Sequence, residues 1–186
     1  MNLRKYVLLA VLAGAGLLHA QPPAPKLELK PGDHIALIGS VAPDRFQHSG
    51  WLETLIHARY PQHNLVVRDL AAPGDEVVTR HRSENFGTPD DWLKRVQADV
   101  IFAFFGSAES VKGREGVAKY KADLEKWIKD TQAKDYSGKG APRIVLFSPV
   151  AQERHQDPNY PDPSAANERL REYTAATAEV AKANGV

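Results

Sequence analysis

The sequence predicts an α/β fold in three layers, a parallel sheet between helices, and two features predict it. Short unbroken apolar runs alternate with longer segments that carry apolar residues at helical spacing. The apolar runs also lack the in-out alternation of a half-exposed strand, so each reads as a strand covered on both faces. The expected order is β-α-β-α-β-α-β-α, with strands ordered 2-1-3-4 and a fifth strand missing or beyond Val186.

The central stretch is Asp33 to Gly50. Ile35 to Ile38 forms the first strand, and Gly39 lets the chain turn sharply. Ser40 to Arg45 is expected as a loop, with a helix starting near Ser49. Open parallel sheets build their sites just beyond the carboxyl ends of the strands, where this loop falls. In the helix, Trp51, Leu52, Leu55, Ile56 and Arg59 share one face, and Pro61 ends it. All three tryptophans, Trp51, Trp92 and Trp127, lie on apolar faces and are expected to pack in the core.

Leu65 to Leu70 is the second strand. Ala71 to Gly87 is a long polar connection, with Asp75-Glu76 expected to cap a short helix after Pro73-Gly74. Arg80-His81-Arg82 within it reads either as a grip for an anionic sugar or as a solvated run of charge. Thr88, Pro89 and Asp91 form a helix start of the capping-box kind, with Trp92, Leu93 and Val96 on the inner face.

Asp99 to Phe105 is the third strand. Gly106-Ser107-Ala108-Glu109-Ser110 follows, then a long helix with Val117, Tyr120, Leu124, Trp127, Ile128 and Thr131 inward. Arg143 to Phe147 is the fourth strand. Asp162-Pro163 opens a last helix with Leu170, Tyr173, Thr177, Val180 and Ala181 inward, stopped at Asn184-Gly185. The chain is expected to be the front part of a longer protein, because another strand should follow that helix.

Composition narrows the function classes. The 186 residues are 42% hydrophobic and 25% charged, with a formal charge of +1, which gives no sign of a general nucleic-acid binder. The absence of cysteine excludes disulfides, thiolate zinc sites and cysteine nucleophiles. Arg4 and Lys5, the apolar run Tyr6 to Leu18 and the small residue Ala20 read as a cleavable export signal over 1–20. An uncleaved anchor is the alternative. Residues 21–31 read as an extended Pro-rich leader and 32–186 as one domain, incomplete at its end. Export to the periplasm or medium is expected, with no stable membrane span after cleavage. Neither a metal nor a cofactor is expected, and the oligomeric state is left open.

Two nucleotide motifs are missing: the first strand is not followed by a G-x-G-x-x-G turn, and no G-x-x-x-x-G-K-[ST] loop occurs. Instead, three strands end in Gly39-Ser40, Pro73-Gly74-Asp75 and Gly106-Ser107-Ala108-Glu109. In these blocks the chain resembles the SGNH, or GDSL-type, hydrolases. It is most similar to a subgroup found in large multidomain proteins of planctomycete-type bacteria. The segments G-D-H-I-A-L-I-G, H-S-G-W-L-E-T-L, P-G-D-E-V, D-V-I-F-A-F-F-G and R-I-V-L-F-S-P carry that likeness.

The resemblance implies a flavodoxin-like sandwich and hydrolysis of a small-molecule or carbohydrate ester, acyl or acetyl, by a serine. Gly39 matches the first-block glycine, Ser40 stands at that block's aspartate position, and Val41 stands where the serine would be. Ser40 is then the nucleophile candidate. Gly74 matches the oxyanion glycine and shares that role with the Ser40 N–H. Gly39, Gly106, Ser107 and Glu109 complete the expected pocket. Ala108 takes the position of the oxyanion asparagine, Glu109 that of the block's aspartate, and the D-x-x-H block is absent. From the residues alone, His155 reads as a base or a loop histidine, and His34 and His48 as strand-edge and loop histidines near the central turn. A non-catalytic binding module on the same fold, holding polysaccharide or positioning other domains, is the alternative. It draws on Val41 and Ala108.

Overall fold

The computed structural model describes residues 26–186; the expected export signal and the first part of the leader lie outside the described residues. Four parallel strands form one sheet in the order β2-β1-β3-β4. They are β1 (His34–Gly39), β2 (Val66–Asp69), β3 (Val100–Phe104) and β4 (Arg143–Leu146). β1 and β3 are central and almost wholly buried, as their unbroken apolar runs require.

Alternate residues of these strands enter two cores. Ala36, Ile38, Ile101 and Ala103 face the core closed by α3 (Pro89–Arg95), α4 (Val117–Gln132) and α5 (Ser164–Asn184). Ile35, Leu37, Val67, Phe102 and Phe104 face the other. That second core is closed by Phe46 of α1 (Val41–Ser49) and by Leu52 and Ile56 of α2 (Trp51–Arg59), with Leu27 and Leu29 from the chain start. The period of two in the strands thus produces the three layers.

Three expectations change at this level. The loop expected from Ser40 to Arg45 is helical, because α1 begins directly after the β1 turn at Val41. Pro43 sits in its first turn, where its missing N–H costs no bond. Gly50, left-handed at φ 66°, then separates α1 from α2 and donates its N–H to Phe46 O at 2.8 Å.

That break also re-aims α2, so Trp51 and Leu55 are 69% and 63% exposed rather than in the core. No helix forms after Pro73-Gly74 either; Asp75 and Glu76 instead pair with Arg82 and Lys112. The α3 capping box is formed as expected, Thr88 Oγ1 accepting from the Asp91 N–H at 3.2 Å and Asp91 Oδ2 accepting from the Thr88 N–H at 2.8 Å. No helix among the described residues is long and apolar enough to cross a membrane.

Candidate active site

β1 ends in close contact with β3. Gly39 lies opposite Phe104 of β3, and a Cβ on it would sit 2.2 Å from the Phe104 carbonyl oxygen. Only glycine fits there, and its φ of +124° suits glycine alone. The Ser40 N–H then donates to Phe104 O at 3.3 Å, which draws Ser40 inward until it is 3% exposed. Its hydroxyl oxygen accepts the Gly74 N–H at 3.1 Å. Since that oxygen is occupied in this way, it does not cap α1.

Ser40 and Gly74 therefore meet, although they are 34 positions apart. The segment after β3 is tied to the same place by Glu109. Its Oε1 accepts the Val77 N–H at 2.9 Å and its Oε2 accepts the Gly106 N–H at 2.8 Å. Glu109 is 5% exposed, and burial raises its carboxyl above the ordinary glutamate range although both N–H groups oppose this. It clamps the Pro73–Val77 loop to the β3 end.

A cleft of about 350 Å³ opens beside Ser40. Val41, Ala42 and Phe46 of α1 form one wall, Phe104 and Phe105 the floor, and Ser107, Ser148, Pro149 and Val150 the far side. Phe104 is stacked on Phe147 at 4.1 Å and met edge-on by Phe46 at 5.6 Å, so the floor is rigid and apolar. Arg45 stands at the rim, exposed, with its Nε 3.9 Å from the mostly buried Asp44 carboxylate. Of the six expected site residues, Ser40 and Ser107 line the cleft. Gly39 shapes it by close backbone approach and Gly74 by its N–H, while Gly106 and Glu109 lie behind the lining.

The histidines lie elsewhere. His34 is at the opposite, amino end of β1, where its Nδ1 is 2.8 Å from Val96 O. His155 is exposed, stacked on Tyr160 at 4.3 Å, and its Nδ1 accepts the Asp157 N–H. His48 is exposed on α1. Among the described residues no histidine hydrogen-bonds Ser40, and no group of three or more His, Cys, Asp or Glu side chains is placed to hold a metal ion.

Two solved structures share this arrangement of elements. One is the psychrotrophic esterase EstA from Pseudoalteromonas sp., inhibited by monoethylphosphonate, at 15% identity and a TM-score of 0.55, covering 82% of this chain and 73% of that one. The other is a gut microbial diltiazem-metabolizing enzyme at 18% identity and a TM-score of 0.58, covering 85% of this chain and 36% of that one. The chain shares the fold of an esterase. It spans about a third of the second structure's length, and at these identities the likeness is one of fold. No family model and no curated protein matches the chain.

The sequence did not reveal how the long connection between β2 and α3 would fold. Arg82 forks onto Asp75, Nη1 to Oδ1 at 2.7 Å and Nη2 to Oδ2 at 2.8 Å, so that part of the basic run is a buried-edge ion pair rather than solvated charge. Arg80 instead lies over the Phe105 ring at 5.1 Å. The spacing of Asp75 and Arg82 in an irregular segment carries no periodic signal that would have paired them.

Proposed function

We propose that this chain is an exported SGNH-type ester hydrolase domain in which Ser40 attacks a small acyl or acetyl ester, carbohydrate-linked esters included. The observation that supports this reading most is the contact between Ser40 Oγ and the Gly74 N–H at the head of an apolar cleft. As the Ser40 oxygen bonds to the ester carbon, its proton would pass to solvent water and the carbonyl oxygen would take the negative charge; the Gly74 N–H, now spent on the hydroxyl, would be free to turn to that oxyanion. Collapse would expel the alcohol, protonated by water, and a second water would release the acid from acyl-Ser40. Val41, Phe46 and Phe104 would hold the acyl chain. The Ser40 N–H is held by Phe104 O, so Gly74 is the stronger of the two oxyanion donors named for the site.

A serine alcohol without a base is a weak nucleophile, and a positioned base contributes about 10²–10⁴-fold. Turnover of p-nitrophenyl acetate by this chain should therefore be slow, lower by that factor than for an esterase with a complete triad. Ser40→Ala should bring it to the buffer rate. Equal rates for the two proteins would remove Ser40 from the mechanism.

One further reading has its own support, a binding module on the same fold. Val41 and Ala108 stand where the resemblance places the nucleophile and an oxyanion donor, and no basic side chain hydrogen-bonds Ser40 among the described residues. That reading expects saturable ester binding in the cleft with no turnover above buffer.

A further inference from the structure

A second cavity of about 360 Å³ lies between the carboxyl end of β2 and the loop before α3, and it shares no lining residue with the Ser40 cleft. Its size is that of a small-ligand pocket. Two polar side chains in it each keep a buried atom without a hydrogen-bond partner. Arg80 makes no hydrogen bond or ion pair among the described residues, and its Nε is buried without an acceptor. Asp69 gives one carboxyl oxygen to the Ala71 N–H at 2.9 Å, while its other oxygen, Oδ2, is buried with no donor.

Both omissions are costly for charged groups taken from water. The carboxylates near Arg80 do not relieve it. Asp75 is forked onto Arg82, and Asp90 is held by Lys134 and by the Tyr136 hydroxyl at 2.6 Å. Burial accordingly lowers the Arg80 basicity and raises the Asp69 carboxyl. The remaining wall is aromatic: Phe86, 43% exposed, stacks on Trp92 at 4.8 Å, and the Trp92 indole N–H is already given to Phe86 O.

An unpaired guanidinium matches a carboxylate by its two-pronged geometry. An acceptor oxygen matches a hydroxyl group, and an aromatic face matches the C–H face of a sugar ring. We infer that this cavity is a binding site for a hydroxylated organic carboxylate of sugar-acid size, held by Arg80 at the carboxylate, by Asp69 at a hydroxyl and by Phe86 at the ring. It is a site apart from Ser40 and stands whether or not the chain hydrolyses esters.

The test is calorimetric titration of the full chain with D-glucuronate, D-glucose and cyclohexanecarboxylate. Glucuronate should bind at least about tenfold tighter than glucose, which lacks the charge, and tighter than cyclohexanecarboxylate, which lacks the hydroxyls. Arg80→Gln should abolish the preference over glucose. Asp69→Ala should weaken glucuronate while leaving cyclohexanecarboxylate unchanged.

Glucuronate and glucose binding equally, an Arg80→Gln protein that keeps the preference, or no binding of glucuronate at about 10 mM would each overturn the assignment. Circular dichroism checks that the variants fold. If Arg80→Gln does not, Arg80→Lys takes its place, and the ranking of the three ligands by the unaltered protein decides the matter alone.

Discussion

Gly39→Ala should destabilise the domain by about 3 kcal/mol or more, enough to leave little folded protein at 37 °C if its total stability is ordinary. The new methyl would lie 2.2 Å from the Phe104 carbonyl oxygen and 2.7 Å from the carbon. Both are backbone atoms of the central strand pair, held by the β1–β3 ladder that ends at this pair and by the Ser40 N–H on the Phe104 oxygen. Nothing there can rotate away, so the two middle strands must separate or the Ser40 turn must rebuild. The positive φ adds about 1 kcal/mol of strain.

Gly138→Ala is the matched control. That glycine is also left-handed, at φ +81°, but its added methyl would meet nothing within 4 Å. Urea denaturation of both variants separates the two contributions. Gly138→Ala should lose only the strain, and a similar small loss at Gly39 would mean that β1 and β3 do not approach so closely.

Glu109→Ala should cost about 2–4 kcal/mol, because it strands two buried N–H groups, those of Val77 and Gly106. The loss should also reach the cleft, since the Pro73–Val77 loop that presents the Gly74 N–H would lose its tie to β3. Esterase turnover and stability should fall together in this variant. A Glu109→Ala protein as stable as its parent would remove the clamp from the account.

The pH dependence has a definite sign. Burial raises the folded Glu109 carboxyl above its ordinary 4.5, so the folded state binds the proton more tightly than the unfolded chain. That contribution is fully present below the unfolded value and is lost as pH rises through the folded one. Relative to Glu109→Gln, the unaltered protein should therefore gain stability as pH is lowered from 7 toward about 4.5.

Much of this architecture was legible in the sequence, because its cause is local. The apolar runs of β1 and β3 signal double-sided burial by themselves, and the Thr88-Pro89-Asp91 start of α3 signals its own cap. The alternation of strands and helices signals a parallel sheet covered on both faces, and the 2-1-3-4 order expected for it is the one observed. The start of α1 was hidden because Ser40 and Pro43 read as loop residues. Ser40 gives its side chain to Gly74, so the usual cap signature is absent, and Pro43 is harmless in a first turn.

The exposure of Trp51 and Leu55 was hidden by Gly50. A left-handed residue between two short helices turns the second by an amount that periodicity cannot supply. The site was half legible. Gly39 and Gly106 mark the ends of β1 and β3, whereas Gly74 lies in the loop beyond the end of β2 at Asp69, and that loop brings it to Ser40. The Glu109 clamp was not legible, since its partners are backbone N–H groups that any residue could offer. The same holds for the Arg80 cavity, where the Asp75–Arg82 and Asp90–Lys134 pairs leave Arg80 without an ion pair among the described residues.

Ser40, poised by Gly74, is proposed as the reactive residue of the apolar cleft. Prolonged incubation with an alkyl fluorophosphonate, followed by peptide mapping by mass spectrometry, tests it most directly. One phosphonyl group should add slowly at Ser40, and the addition should be lost in Ser40→Ala. A label on a different serine, or none at all, would contradict it.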